Sequence, residues 1–220
     1  MVAARSLTAL LAALCLFAPS TSVAEDCRTV EDFSKGKVGQ FPPDWKPRKD
    51  AGRQVYAVQE QDGKRFLHAA ARGLGIQAAK ELEWDLTAYP VLAWSWRPLE
   101  FPKGSDERQS KTNDSALSVY AVFPHTSWSV KSVKYIWSAV APVGTPVTTS
   151  QGLTKGRIVR SGTQRKGEWV EERVNVLEDY RKYFKESNVP KPAGIAVLTD
   201  SDDTKSSAQG DYANFRLCKG

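Results

Sequence analysis

The feature that most constrains the fold of this chain is a succession of short strand-like segments separated by turn clusters. The segments alternate apolar and polar residues, or are rich in β-branched and aromatic residues, which is typical of half-buried strands. Turn sequences such as Asp62-Gly63 fall between them. The predicted strands are residues 54–59, 65–71, 75–83, 91–97, 116–123, 132–139, 157–161, 168–174, 194–199 and 212–217. Ten strands without alternating helices predict an all-β fold, an antiparallel β-sandwich.

One segment, residues 177–186, has helical rather than strand periodicity. Leu177, Tyr180 and Phe184 recur at a spacing that places them on one helix face. Asn175 stands where a helix N-cap is expected. We predict a single helix that covers one end of the sandwich, with its aromatic residues in the core.

Residues 1–24 have the pattern of an export signal. A positive charge at Arg5 precedes an apolar run over residues 6–19, and Ser22-Val23-Ala24 is a small-x-small cleavage site. We predict a signal peptide over residues 1–24 that is removed. Residues 25–220 would then form one β-sandwich domain in the periplasm or outside the cell.

Two cysteines remain after such a cleavage, at opposite ends of the predicted domain. Cys27 and Cys218 lie near the termini, and the termini of a domain are often close together. An even number of cysteines in an oxidising compartment predicts one disulfide bond. Two free thiols are the alternative.

Charge and motifs exclude several functions. The formal net charge is +6, and the 31 lysine and arginine residues are dispersed, so we predict no nucleic-acid partner. A local basic cluster, formed by Lys46, Arg48, Lys49 and Arg53, is interpreted as a solvated loop. The sequence contains no phosphate-binding loop, nucleotide fingerprint, G-x-S-x-G or C-x-x-C motif, so no cofactor is predicted. No apolar run reaches the length of a membrane-spanning helix.

Alternation in the predicted strand 91–97 places Trp94 and Trp96 on one face and Arg97 on the other. We favour burial of the two indoles because Leu92 shares their face; exposed rings that stack on sugars are the alternative. Arg97 would then lie on an open outer face. The same alternation in other strands adds Tyr120, Tyr212, Asn214 and Arg216 to that face. Such a face suits a negatively charged glycan or other envelope polymer, and a solvated sheet face is the alternative.

The densest acidic cluster, residues 199–204, directly follows an apolar strand. Carboxylates there can bind calcium, act as acid and base, or form Asx turns; the spacing of an EF-hand is absent, and no metal site is predicted. Asp114 precedes another strand and is expected at the same rim. We expect Asp200 and Asp202 to lie near Arg97, with Tyr120 beside them as a flat stacking surface, because an acidic cluster is best tolerated near a cation.

Several motifs distributed along the chain resemble those of a known family. They are Phe41-Pro42-Pro43-Asp44-Trp45, residues 85–96 (DLTAYPVLAWSW), Asn113-Asp114-Ser115-Ala116, Tyr135-Ile136-Trp137-Ser138 and residues 199–204 (TDSDDT). This series resembles the secreted bacterial family catalogued as domain of unknown function 3047, for which no activity is assigned. The layout of the chain is also similar to galactose-binding-like jelly rolls. That similarity implies a sandwich of jelly-roll type with one concave face, where such modules often hold sugars.

The predicted function is therefore the binding of a glycan or other envelope polymer by an exported, non-catalytic protein. The candidate ligand-binding residues are Arg97, Asp114, Tyr120, Asp200, Asp202, Tyr212 and Asn214. The alternative is a glycan-active, hydrolase-like enzyme that uses Asp114 and Asp200 at the rim of the same face as a carboxyl pair.

Overall fold

Strands make up most of the regular structure in residues 26–220, the part of the chain that this computed structural model describes. The strands are β1 (Cys27–Glu31), β2 (Lys46–Pro47), β3 (Tyr56–Gln61), β4 (Lys64–Arg72), β5 (Ala78–Glu81), β6 (Val91–Glu100), β7 (Leu117–Thr126), β8 (Ser129–Ser138), β9 (Pro146–Thr149), β10 (Thr154–Ser161), β11 (Val170–Asn175), β12 (Gly194–Leu198) and β13 (Ser207–Cys218). One α-helix, α1 (Val176–Phe184), and 3-10 turns at Asp50–Gln54 and Ser150–Gly152 complete the regular structure of these residues. The predicted signal peptide lies outside them.

The strands form two sheets that pack face to face as a sandwich of jelly-roll type. The first sheet has the order β11-β6-β13-β4-β3, with β1 also paired to β13. The second sheet has the order β2-β5-β12-β7-β8-β10-β9. Every pair is antiparallel except β8 with β10. The predicted fold class is confirmed, and each of the ten predicted strands overlaps an observed one; the short strands β1, β2 and β9 were not predicted.

The core between the sheets is rich in aromatic side chains. Trp94 and Trp96 on β6 are fully buried, as favoured from the sequence. The Trp94 ring lies 5.8 Å from that of Tyr135, and the Trp96 ring lies 5.6 Å from that of Trp137. These contacts join β6 of the first sheet to β8 of the second. They therefore fix the outer faces of both sheets, because side chains adjacent in each strand must point the other way.

The last strand, β13, departs from simple alternation, and the prediction that Tyr212 faces outward is wrong. The Tyr212 side chain is fully buried, and its hydroxyl donates to the carbonyl oxygen of Leu198 at 2.9 Å. The pairing of β13 with β6 shifts between Ala213 and Arg216, where Asn214 adopts a left-handed φ of 53°. This bulge inserts an extra residue, so Tyr212 and Phe215 both reach the core.

Helix α1 begins and packs much as the sequence predicts. The Asn175 side chain accepts a hydrogen bond from the Glu178 backbone N–H at 3.0 Å, which caps the first turn. The ring of Tyr180 lies 4.5 Å from that of Phe123 and 4.8 Å from that of Phe184. The helix ends at Phe184 rather than residue 186, and its Tyr180 is buried against Phe123 of β7.

A disulfide bond joins Cys27 to Cys218, which confirms the predicted pairing. The two cysteines are register partners in the antiparallel pair of β1 and β13, so the sheet itself brings them together. Within residues 26–220, no helix combines the length and the hydrophobicity that crossing a bilayer requires.

Candidate functional site

The residues that were expected to share one open face lie on two different sheets. Arg97 is on the outer side of the first sheet, beside the rings of Phe66 and Trp169. Tyr120 is on the outer side of the second sheet, and Asp200 follows β12 of that sheet. The expectation that Arg97 shares a site with Tyr120, Asp200 and its neighbour Asp202 is therefore wrong. Alternation identifies the face of a strand, whereas the sheet to which the strand belongs depends on long-range pairing.

A groove crosses the outer side of the second sheet. Two adjoining cavities, of about 210 and 460 Å³, share the lining residues Arg48, Gln77, Ser150 and Thr154, and we call the combined space the groove. Its floor is mainly apolar and is formed by Ala79, Tyr120, Val122, Ala196 and Leu198. A partly apolar depression of this kind is the usual form of a ligand site.

Trp128 supplies an exposed aromatic ring to one part of the groove. It lies in the tight turn between β7 and β8, its side chain is 96% exposed, and it lines the larger cavity. Tyr120, the residue expected to be a flat stacking surface, is only 3% exposed and belongs to the floor. A large indole is unusual in a hairpin turn, so the sequence contained a signal for Trp128. Alternation within strands could not identify it, because the residue lies between two strands.

Lys134 lines the smaller cavity. It lies opposite Tyr120 on the neighbouring strand, and its Nζ is 5.5 Å from the centre of the Tyr120 ring. Two acceptor atoms of this cavity's lining residues, Asn113 Oδ1 and Asp200 Oδ1, are buried without a hydrogen-bond partner among the described residues. Buried polar atoms are seldom left unpaired, so these atoms are suited to receive hydrogen bonds from a ligand.

The electrostatics of this cavity follow from burial. Burial raises the pKa of Asp200 to about 8, the neighbouring Asp202 carboxyl adds to the rise, and the charge of Lys134 opposes it. Burial by itself lowers the pKa of Lys134, but the neighbouring Tyr120 and Asp200 raise it above the ordinary value. At neutral pH the cavity therefore holds a largely protonated Asp200 carboxyl beside the Lys134 ammonium group.

Gly75 allows the acidic segment to approach the sheet. A Cβ atom at this position would lie 2.3 Å from Asp200 Oδ1 and 2.5 Å from Asp202 Oδ1. Gly75 also forms an antiparallel bridge with Asp200. A side chain at residue 75 would push both carboxyl groups away, which is a requirement that the sequence pattern did not reveal.

Asp114 stabilises the acidic loop. It is fully buried, and its carboxylate accepts the backbone N–H groups of Asp203 at 3.2 Å and Thr204 at 2.8 Å. Asp114, Asp202 and Asp203 each have an oxygen within 4.8 Å of the others, which is close enough for one cation. Because the hydrogen bonds already account for the position of Asp114, we assign it a structural role.

Two residues of the predicted solvated basic loop also line the groove. Lys46 and Pro47 form β2, which pairs with β5, and the Arg48 backbone N–H donates to the Gln77 carbonyl oxygen at 2.9 Å. Lys46 is paired with Glu81 at 2.7 Å, whereas Arg48 forms no ion pair with the carboxylates that the structure describes. The sequence-based interpretation missed this pairing because β2 is only two residues long.

The outer side of the first sheet carries a separate cavity of about 350 Å³. Asn214 and Trp169 are among the residues that line it. Beside it, Arg97 Nε donates to Asp211 Oδ2 at 2.7 Å, and His68 Nδ1 lies 2.8 Å from Asp211 Oδ1. Asp211 is fully buried, so these two partners compensate its carboxylate. Alternation had not identified His68, Trp169 or Asp211 as outer-face residues.

Comparison with known families gives one match. Residues 43–216 match the family model described as protein of unknown function (DUF3047), which agrees with the resemblance seen in the sequence motifs. The match covers well over half of the chain. No curated protein matches the chain significantly.

Solved structures with similar architecture have little sequence identity to this chain. A family 11 carbohydrate-binding module from Clostridium thermocellum, in complex with a β-1,3-1,4-mixed-linked tetrasaccharide, gives a TM-score of 0.46 at 6% identity, covering 90% of this chain and 98% of that chain. Endoglucanase 3 of Trichoderma harzianum, from family GH12, gives 0.42 at 10% identity, covering 90% and 98%. A carbohydrate-binding module specific for non-crystalline cellulose, CBM28, gives 0.40 at 9% identity, covering 83% and 90%. At these values the similarities assign no function to this chain.

Proposed function

We propose that this chain, which belongs to the family described as protein of unknown function (DUF3047), binds a glycan along the groove of the second sheet. The observation that carries the proposal is the combination of groups along one continuous groove. An exposed indole, Trp128, lines one part, and a polar group formed by Asn113, Lys134 and Asp200 lines the other. An apolar floor connects them.

This combination matches the chemistry of a sugar ring. A pyranose exposes C–H groups on its faces and hydroxyl groups around its edge, so it requires both apolar surface and directed hydrogen bonds. The Trp128 ring and the small floor residues Ala79 and Ala196 provide apolar surface. Asn113 Oδ1 and Asp200 Oδ1 provide acceptors that are otherwise unpaired.

The charge of the groove favours an acidic glycan. Lys134 retains its ammonium group, and Arg48 has no carboxylate partner among residues 26–220. Asp200 adds little negative charge at neutral pH because its pKa is about 8. Uronic acid residues, whose carboxylates can pair with Lys134 or Arg48, are therefore the preferred ligands.

The disulfide bond is consistent with an exported protein that meets such glycans outside the cytoplasm. Disulfides persist in oxidising compartments such as the periplasm and the cell surface, and the bond between Cys27 and Cys218 closes almost the whole described chain. The signal peptide over residues 1–24 and the single domain over 25–220 remain predictions.

Isothermal titration calorimetry with matched oligosaccharides tests the proposal. The acidic probes are the tetramers of galacturonic, mannuronic and glucuronic acid, and the neutral probes are the corresponding tetramers of galactose, mannose and glucose. At least one acidic tetramer should bind, and its affinity should fall about tenfold or more in Trp128→Ala and in Lys134→Met, as expected for central contacts. Val38→Ala is the matched surface control, since Val38 is exposed and lines none of the three cavities described here.

Two results would overturn the proposal. One is the absence of binding for all six tetramers. The other is an acidic tetramer whose affinity is unchanged in both groove variants, because the binding site would then lie elsewhere.

A glycan-active enzyme is the second candidate, and the Asp200 carboxyl is the observation that favours it. A carboxylic acid that stays protonated at neutral pH can donate a proton to a glycosidic oxygen. The partner expected from the sequence, Asp114, is fully buried and bonded to the loop backbone, so it is not available as the second carboxyl of such an enzyme. Release of new reducing ends from any of the six tetramers, abolished in Asp200→Asn, would establish the enzyme in place of the binding protein.

A further inference from the structure

We propose that the outer side of the first sheet holds a second glycan site, in which Trp169 stacks against one uncharged pyranose ring. The site is built from residues of β3, β4, β6 and β13, the turn between β3 and β4, and the segment before β11; none of these residues lines the groove. It does not rest on the function proposed for the groove. Its evidence is a cavity of about 350 Å³, a preorganised aromatic ring and two amide side chains at its wall.

Trp169 is held in position from behind. The Arg97 guanidinium lies 4.7 Å from the centre of the Trp169 ring, and the Phe66 ring packs edge-on at 5.5 Å. Trp169 is nevertheless 37% exposed and lines the cavity. A ring that is already fixed loses little conformational freedom when a sugar stacks on it.

Arg97 is itself fixed without any ligand. Its Nε donates to Asp211 Oδ2 at 2.7 Å, and Asp211 is fully buried, with its other oxygen 2.8 Å from His68 Nδ1. The charge of Arg97 is therefore already compensated. Its role in this site is to support the Trp169 ring rather than to bind an anion.

Arg97 also orients a hydrogen-bonding group at the cavity wall. Its Nη1 donates to Gln61 Oε1 at 2.9 Å, which fixes the amide of Gln61. Gln61 lines the cavity, and its Nε2 donates no hydrogen bond to the residues that the structure describes. Gln61 can therefore donate a hydrogen bond to a sugar hydroxyl.

Asn214 supplies the second amide from a strained position. It is exposed, it lines the cavity, and it adopts the left-handed φ of 53° in the bulge of β13. Glycine would adopt this conformation at lower cost, and bulges commonly redirect a side chain toward a site. The Asn214 side chain makes only a long contact, 3.4 Å from Nδ2 to Ser95 Oγ, so most of its hydrogen-bonding capacity remains for a ligand.

The wall residues favour an uncharged sugar. Arg65 on β4 is occupied by Glu60 at 2.9 Å and by the carbonyl oxygens of Ser34 and Gly36. Asp62 and Lys64 bring one charge of each sign to the rim. The cations at this site are therefore balanced by neighbouring acceptors or by an opposite charge. The groove differs, because Arg48 and Lys134 favour acidic sugars there.

Nuclear magnetic resonance of the disulfide-bonded protein can separate the two sites, because the indole N–H signals of Trp128 and Trp169 report on each site individually. The probes are the uncharged tetramers of galactose, mannose, glucose, xylose and N-acetylglucosamine. At least one should shift the Trp169 indole signal in a saturable way. Binding should weaken about tenfold or more in Trp169→Ala and should persist in Trp128→Ala.

Asn214→Gly distinguishes a binding role from a structural role. Glycine relieves the left-handed strain, so the melting temperature should stay the same or rise, while affinity for the same tetramer falls severalfold. The proposal is overturned if none of the five tetramers shifts the Trp169 signal, or if Asn214→Gly and Trp169→Ala both retain full affinity. If the function proposed for the groove is wrong, the Trp128 signal will instead fail to respond to the acidic tetramers.

Discussion

Lys134 Nζ lies 5.5 Å from the centre of the Tyr120 ring, and the two residues are direct register partners on β8 and β7. Burial alone would favour the neutral amine of Lys134, but the Tyr120 hydroxyl and the Asp200 carboxyl raise its pKa above the ordinary value. The groove therefore contains a fixed cation that only the neighbouring side chains compensate. A ligand that brings an anionic or acceptor group meets a preorganised partner.

Asp200 should make the stability of the protein depend on pH. Its pKa is about 8 in the folded protein and about 3.9 in an unfolded chain, so between these values the folded state binds more protons. The stabilising effect of this proton is complete below pH 4 and is lost as the pH rises through 8. Between pH 5 and pH 9, Asp200→Asn should gain about 3 kcal/mol of stability relative to the wild type, since each pKa unit corresponds to about 1.4 kcal/mol and part of the shift is shared with Asp202.

Urea denaturation at pH 5 and pH 9 measures this difference. If the wild type and Asp200→Asn lose stability equally between the two pH values, Asp200 is not the buried acid described here.

The pair formed by Arg97 and Asp211 should be mainly structural. Arg97→Met leaves the fully buried Asp211 carboxylate with His68 as its remaining partner, and should lower the free energy of unfolding by about 3 kcal/mol. The double variant Arg97→Met/Asp211→Asn should recover part of that loss, because it removes the uncompensated charge. Chemical denaturation of the four proteins in the cycle gives the coupling energy. Strictly additive effects would show that the two side chains do not interact.

The disulfide bond should contribute strongly to stability. Cys27 and Cys218 are separated by 191 residues in sequence, and a loop of that length constrains the unfolded chain by about 5 kcal/mol in the chain-entropy model. Cys27→Ser/Cys218→Ser should therefore melt at a clearly lower temperature than the oxidised protein. An unchanged melting temperature would mean that the pairing of β1 with β13 supplies the whole constraint.

Much of the fold could be predicted from local patterns. The burial of Trp94 and Trp96, the N-cap at Asn175 and the pairing of Cys27 with Cys218 follow from alternation, capping chemistry and the positions of the cysteines. Each of these features is decided by a few neighbouring residues or by a strong covalent constraint.

The candidate sites were harder to predict because they depend on long-range geometry. Alternation continues along one strand only until a bulge interrupts it, so Tyr212 lies in the core and not on the outer face expected for it. Whether Tyr120 and Arg97 share a surface depends on which sheet their strands join, and nothing local to either strand encodes that choice. The close approach of Asp200 to Gly75 likewise appears only when distant segments meet.

The most direct test of the central claim, that the groove binds a glycan, is a titration of ¹⁵N-labelled protein with the tetramers of galacturonic, mannuronic and glucuronic acid. We expect one of them to shift the Trp128 indole signal and the backbone amides of Asn113 and Thr154 along a single binding curve, since all three residues line the groove. Signals of Trp169 should not follow that curve. A Trp128 signal that stays in place with all three tetramers, while Asn113 and Thr154 also remain unchanged, would contradict the account.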